Sequence, residues 1–404
     1  MGLLDVLDFH YGATSCESSE VEYRLLSWGE IYPPFLGNRE HSTAAQFILH
    51  DFPFKLFSVS VPYSEVPQKL CLTFRAPNKA RKSRIITSSG IYPHEVAKEF
   101  AAFMSLLTRR RIFAVGQTRA NGLPVDQNVD IYGRSHFQER QRLKEVDPKE
   151  IDRLLKNLQQ LDERIARGFI LAMRLYHAAV EMFYAEPEFA YLFLVMSIET
   201  ISSAVYKEIL PIDDEKENDE LNHYLDSTYP GWRKHCDITD DAKRKQVINM
   251  LLNNAYFSRR KFRTFVCENV PDKFWAEAED DAKPEHIYSV VTAGPNGHGK
   301  EEIRRSDMIT QQWDKIQKDK LLKTLNRIYD TRSKFVHEGI RFPVHIVIGH
   351  FMKISNDAQN QLMTSMLEAG HPEDFFLDVP PLLTFERLVS YVMVEYLMKQ
   401  DQSP

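Results

Sequence analysis

The sequence predicts an α+β N-terminal domain followed by an all-α helical bundle, and three observations predict it. Residues 1–115 alternate apolar and polar at a period of two, with one stretch of helical period inside them. The apolar rhythm then fades across residues 117–148, a polar stretch rich in Arg, Asp, Asn and Gly. Beyond Pro148 apolar residues recur at i, i+3 and i+4 almost throughout, as in helices that each bury one face. The expected domains are 1–145, with a linker from about 117, and 146–404, with an insertion at about 211–310. No internal repeat is evident.

In the first domain Phe57, Val59 and Val61 alternate with Ser58 and Ser60. Leu70, Leu72 and Phe74 alternate with Cys71, Thr73 and Arg75. Both runs read as half-buried antiparallel strands. A helix opens after Pro93, carries Val96, Phe100, Phe103 and Leu107, and closes at Arg109-Arg110-Arg111. In the second domain a helix starts near Ile151 with Leu154, Leu158, Leu161 and Ile165 on one stripe, and continues or restarts through Leu171, Leu175 and Ala179. Glu186-Pro187 breaks it, and a mostly apolar helix follows from Phe189 to near Leu210, ahead of Pro211. The acidic run Asp213–Glu220 reads as a solvated loop, a helix spans Val247 to Phe262, and residues 270–305 read as irregular. A long helix then runs from Gln311 to Glu338, with Gly339 as its C′ residue and Pro343 as a downstream stop. A last helix places Phe385, Leu388, Val389, Val392, Met393, Tyr396 and Leu397 at helical spacing, which completes an antiparallel-type bundle.

Composition narrows the function. The net charge of −6 excludes a uniformly basic nucleic-acid coat, so any RNA contact has to come from local basic patches. The 4 cysteines, Cys16, Cys71, Cys236 and Cys267, lie far apart, and this indicates neither a zinc site nor a disulfide framework. The start, Met1-Gly2-Leu3-Leu4-Asp5, has neither the basic region of a signal peptide nor a myristoylation pattern. The apolar run from Phe189 to Ile198 is ended by Glu199 and falls short of the ~20 residues of a membrane span. A cytoplasmic protein without membrane attachment is expected.

The long helix holds the informative anomaly. Leu325, Tyr329 and Val336 lie on one stripe, with Leu322 and Phe335 beside it and Ile316 offset, and position 332 of that stripe is arginine. A guanidinium on a core-facing seam is costly unless it is paired. His337 follows five residues later, turned by ~140° from Arg332 on an ideal helix and ~7.5 Å further along its axis. The two converge only if the last turn unwinds, or if a second copy of the helix meets the first across a two-fold axis. Glu199, a carboxylate closing an apolar run, either meets a cation, for which Arg332 is the candidate, or faces water together with Ser202, Ser203 and Tyr206 on its face.

The segment Tyr329-Asp330-Thr331-Arg332-Ser333-Lys334-Phe335-Val336-His337-Glu338-Gly339 resembles the R-x4–6-H signature of the HEPN superfamily, most closely its Apea-like branch. Leu194-Val195-Met196-Ser197-Ile198-Glu199 is similar to the family's second helix, and Val379-Pro380-Pro381-Leu382 resembles that branch's lead into the terminal helix. The resemblance covers residues 150–400 and leaves the N-terminal part unexplained. It implies an HEPN-type bundle that cuts RNA without a metal or other cofactor, as a homodimer, in a setting such as bacterial defence or toxin-like growth arrest. In that chemistry a ribose 2′-hydroxyl attacks the neighbouring phosphorus and the 5′-oxygen leaves. Histidine, with an ordinary pKa of ~6.5, can move the protons, and arginine's forked donors match the phosphorane oxygens. His337 is therefore expected to transfer protons and Arg332 to stabilise charge. Ser333 stands where the family often has Asn, His or Asp, so it keeps a polar contact and leaves any direct catalytic part in question.

Basic clusters expected at RNA are Arg109, Arg110 and Arg111; Arg259, Arg260, Lys261 and Arg263, interleaved with Tyr256, Phe257, Phe262 and Phe265; and Lys79, Arg81, Lys82 and Arg84. Two other patterns fail on chemistry. Gly294-Pro295-Asn296-Gly297-His298-Gly299-Lys300 suggests a phosphate loop, but Glu301 stands where Ser or Thr would hold magnesium. His345 and His350 lack the carboxylate and spacing of a zinc helix, and Asp330 and Glu338 are not the clustered carboxylates of a two-metal nuclease. The alternative is a non-catalytic module of the same fold that binds RNA, a nucleotide or a partner protein.

Overall fold

The computed structural model describes residues 2–11, 18–27, 46–49, 53–59, 68–77, 93–109, 111–117, 147–183, 186–206, 223, 226, 256–276, 286–293, 299–306, 316, 318–343, 379–380 and 382–400. They form a mixed α+β N-terminal region followed by a predominantly helical C-terminal region.

Strands β1 (Ser18–Ser27), β2 (Gln46–Leu49), β3 (Phe54–Val59), β4 (Gln68–Pro77) and β5 (Ile112–Gln117) make one antiparallel sheet in the order β2-β3-β4-β1-β5. Helices α1 (Leu3–Tyr11) and α2 (Pro93–Thr108) pack on it. The register sets Val21 opposite Phe74 and Leu72 opposite Leu56, so β-formers with buried side chains meet across the strands. Phe54 and Leu56 are buried among the described side chains of β3, and the Phe54 ring sits 4.5 Å from that of Phe100 in α2. Cys71 and Thr73 are buried along with Leu72 and Phe74, so the middle strand is covered on both faces where the alternation predicts one wet face.

The helices follow their local punctuation. Asp147 caps α3 (Pro148–Gln160), its side chain accepting from the Lys149 N–H at 2.9 Å. Leu161 then turns extended and Asp162 caps a new helix, α4 (Glu163–Met182), which resolves the open question of continuation as a restart. Pro187 opens α5 (Pro187–Val205). After it come α6 (Tyr256–Asn269), the short α7 (Asp272–Ala276), a 3-10 turn at Lys318–Lys320, α8 (Leu321–Glu338) and α9 (Leu382–Lys399). The core of this region gathers Phe169, Tyr191, Leu194, Leu325, Phe385, Leu388 and Val392.

Three expectations need correction here. The C-terminal part is not all-α, because β6 (His286–Ala293) and β7 (Gly299–Ser306) pair antiparallel where an irregular stretch was expected. The helix bounds also shift: the apolar helix leaves helical geometry at Tyr206, well before Leu210, α6 runs past Phe262 to Asn269, and α8 begins at Leu321 after its 3-10 turn, where a start at Gln311 was expected. And α5 is by length and composition long enough to cross a bilayer, since Ile201, Ala204 and Val205 extend its apolar run; half of that span is nevertheless buried inside the fold. Residues 207–255 lie outside the described residues apart from two isolated positions, so the acidic loop and the start expected at Val247 do too.

Gly168 marks a close helix crossing. A Cβ there would collide with the Cβ of Ala204, so α4 and α5 approach as closely as they do because position 168 has no side chain.

The two regions are fastened through α2. Arg109, just past its end, adopts a left-handed backbone (φ 54°) and turns its side chain toward α9. Its guanidinium meets the Glu386 carboxylate at 2.6 Å, with Nε bonded at 3.1 and 3.2 Å. The hydroxyl of Tyr176, from α4, donates to the same carboxylate. Glu386 is 0% exposed and Arg109 17% exposed. Burial alone would lower the Arg109 pKa, and the facing carboxylate more than reverses this, so it is raised. Nearby, Ser390 Oγ donates to the Leu106 carbonyl at 2.8 Å.

Candidate functional site

Helix α8 enters the core along Leu321, Leu325, Ile328 and Tyr329, all buried. One turn on, the same stripe presents Arg332 to α5, where Glu199 closes the apolar run Leu194–Ile198. Arg332 Nη2 bonds Glu199 Oε2 at 3.0 Å, and the two side chains are only 20% and 15% exposed. A half-buried charge is tolerable only if compensated, and here each compensates the other. The Arg332 Nε is buried and has no hydrogen-bond partner among the described residues.

Tyr329 completes the cluster, with its hydroxyl near the Glu199 carboxylate and the Ser258 side chain of α6. Its ring lies 5.7 Å from the Arg332 guanidinium carbon and packs at 5.9 Å from Phe262. Burial pushes the Glu199 carboxyl up; Arg332 and Tyr329 oppose this without cancelling it, so the pKa stays above the ordinary carboxylate value. Burial, reinforced by the Glu199 charge, likewise raises the Tyr329 phenol.

His337 stands apart from this cluster. It is exposed on the last turn of α8 and makes no hydrogen bond to any described residue. The helix stays helical to Glu338, and its end is closed by N–H groups of Gly339 and Ile340 bonding the Lys334 carbonyl, with Gly339 at φ 67°. Within one chain the structure therefore unites Arg332 with Glu199 but not with His337. Ser333 is half-buried beside Arg332 in sequence and is not joined to the cluster. Val336, expected on the buried stripe, is 47% exposed. The reason is that α8 projects past the core there, where Phe335 packs edge-on against Phe189 at 5.9 Å and against Phe342 at 4.8 Å. Val336, Ile340 and Phe189 thus leave exposed apolar surface around His337.

Most of the arginines expected at RNA are occupied within the fold. Arg109 is committed to Glu386. Arg111 reaches Glu181 at 3.7 Å and lies over the Phe113 ring. Arg259 bonds Asn326 at 3.2 Å and Asp330 at 3.0 Å, and Arg263 bonds Asn326 at 3.1 Å. Arg260 and Arg263 are buried, as are Phe257, Phe262 and Phe265, so the interleaved aromatics serve the core rather than offering stacking faces. Lys261 remains half-exposed, with its pKa lowered by burial and by Arg164. Arg110, Lys79, Arg81, Lys82, Arg84, Tyr256's side chain, His345 and His350 lie outside the described residues.

Among the described residues no group of three or more His, Cys, Asp or Glu is placed to hold a metal ion. Lys300 and Glu301 belong to strand β7, whereas a phosphate loop would open a helix there. Sequence reasoning missed two features of the site: the hydroxyl of Tyr329, which stood only as an apolar stripe position, and the Asn326–Asp330 pair that fixes α6 to α8. Compared with models of protein families, with curated proteins and with solved structures, the chain matches none.

Proposed function

We propose that this chain is a metal-independent endoribonuclease of the HEPN type that works as a homodimer. The observation that carries the reading is Arg332, held half-buried by Glu199 with its Nε unpartnered, one and a half turns before an exposed histidine at a glycine-capped helix end. Arg332 supplies the fixed positive charge and forked donors that a developing phosphorane needs. One His337 takes the proton of the ribose 2′-hydroxyl as its oxygen bonds to phosphorus. A second His337 returns a proton to the 5′-oxygen as the P–O5′ bond breaks, leaving a 2′,3′-cyclic phosphate and a 5′-hydroxyl. A single α8 points Arg332 and His337 in different directions, so two copies joined near the exposed Val336, Ile340 and Phe189 would assemble the composite site.

One observation favours a second reading, a non-catalytic binding module: Glu199 already occupies one edge of the Arg332 guanidinium. A single experiment separates the two. Purified wild-type protein and His337→Ala are incubated with total RNA in excess EDTA and the fragment ends are mapped. Cleavage by wild type alone, with 2′,3′-cyclic phosphate ends, is the expected outcome; because His337 is exposed, its removal should leave the melting temperature unchanged. Equal cleavage by both proteins would remove His337 from the chemistry, and silence from a dimeric wild type would favour the binding module.

A further inference from the structure

We propose, resting on the ribonuclease reading above, that Arg341 and Glu188 are positioning residues for His337: their ion pair fastens the chain leaving α8 to the first turn of α5. His337 is exposed and makes no hydrogen bond to any described residue, so among those residues its place is set by its backbone. The last turn of a helix frays easily, because its final carbonyls lack donors within the helix. Gly339 adds freedom there: at φ 67° it turns the chain out of the helix and has no Cβ to restrict it. A histidine two residues before such a turn keeps its place only if the chain beyond the turn is held.

That chain is held at one carboxylate. Arg341 bonds Glu188 through Nε at 3.1 and 3.2 Å and through Nη2 at 2.8 Å. The backbone N–H of Phe342 donates to the same carboxylate at 3.2 Å. Glu188 is 16% exposed and stands in the first turn of α5, where the helix dipole favours a negative charge. Arg341 is 82% exposed, yet a fork of two donors on one carboxylate is the geometry in which a surface pair fixes orientation. Phe342 then turns inward and is buried, its ring 5.1 Å from Tyr191 and 4.8 Å from Phe335. From Glu188 to Glu199, α5 returns to within ~20° of its starting direction and advances ~16.5 Å. One side of α5 therefore grips Arg332 before His337 and Arg341 after it. The guanidinium and the imidazole are both referred to one helix, and the Glu188–Arg341 pair acts on His337 through the backbone between them.

The test uses the full chain with Arg341→Ala, Glu188→Gln and the double variant, in RNA cleavage under excess EDTA and in amide hydrogen exchange without RNA. Because Arg341 is exposed, melting should stay within a few degrees of wild type. Exchange across residues 336–342 should quicken by about tenfold or more in both single variants. Cleavage should lose about ten- to a hundredfold in kcat, the effect of moving a reacting group by about an ångström, with KM within about twofold. The double variant should be no slower than the slower single one, since both changes remove the same contact. Arg341→Lys, which restores the charge but not the fork, should recover part of kcat. An Arg341 that touched RNA itself would leave Glu188→Gln at full rate and raise KM in Arg341→Ala; either result overturns the role. So would unchanged exchange, or losses that multiply in the double variant. If His337→Ala abolishes cleavage while Arg341→Ala cuts as fast as wild type, this inference falls and the ribonuclease reading stands. A wild-type dimer that cuts no RNA would bring down both.

Discussion

Arg109→Ala tests the fastening between the two regions. The substitution deletes three donor contacts, at 2.6, 3.1 and 3.2 Å, to a carboxylate that is 0% exposed. Among the described residues Glu386 is then left with the Tyr176 hydroxyl as its donor, and a buried pair broken from one side costs about 3–5 kcal/mol. Alanine also inherits the left-handed backbone at φ 54° without relieving it. At roughly 2–4 °C per kcal/mol for a cooperative unit of about 200 residues, the melting temperature should fall by roughly 6–20 °C. The triple change Arg109→Met, Glu386→Met and Tyr176→Phe removes all the charge and the orphaned hydroxyl together. Well-packed apolar replacements of a buried pair are often neutral, so it should recover most of the loss. Urea unfolding followed by circular dichroism gives both numbers. Arg109→Ala costing less than about 1 kcal/mol, or a triple variant no better than the single one, would refute the reasoning. Folded Arg109→Ala should also bind RNA as wild type does, since its guanidinium faces inward.

Two further predictions concern the helices around the site. Gly168→Ala, which would ordinarily stabilise a helix by about 0.5–1 kcal/mol, should instead destabilise by about 1–3 kcal/mol because its Cβ collides with Ala204; adding Ala204→Gly should restore the melting temperature. Glu199 gives a pH signature. Its folded pKa is raised above the ordinary value of 4.5, so its contribution favours the folded state most below that value and declines as pH climbs through the raised pKa. Unfolding curves of Glu199→Gln and wild type should therefore shift relative to each other in favour of the variant as pH rises from 4.5. A difference that is flat with pH would remove Glu199 as a group with a raised pKa.

The helical half was legible because its signals are local. Asp147 before Pro148, Pro187 after Glu186 and Gly339 after Glu338 each act on their own helix end; the glycine end stands where the sequence placed it, while the two starts fall a few residues before Ile151 and Phe189. Arg332 and Glu199 were legible for another reason: each interrupts an apolar stripe, and a charge that does so must be answered by something. Glu386 gives the same signal between Phe385 and Leu388, yet the stripe cannot say which cation answers it from 277 positions away. Read by itself, the triplet Arg109-Arg110-Arg111 looked like a surface patch. Tyr329 was hidden by its own duality, since its ring satisfies the apolar pattern and conceals the hydroxyl that lies near Glu199. The strand pair β6–β7 was half legible: the apolar run Ile287 to Thr292 reads as a strand, while the charged sequence of β7 gives no such signal.

The position of α9 has a consequence for the newborn chain. This helix packs against α2, α3, α5 and α6, and Phe385, Leu388 and Val392 are fully buried among them. Each of those helices leaves the ribosome before α9 does, and each waits with its apolar face open until residues 382–399 arrive. Glu386 arrives with them, so Arg109 spends the same interval without its carboxylate. The helix bearing Arg332 and His337 also precedes α9, so the Arg332–Glu199 pair is made before the helix that covers α5 and α6. Of the three helices that carry the Arg332 cluster, α5 and α6 gain the cover that α9 gives their apolar faces only once residues 382–399 have been made.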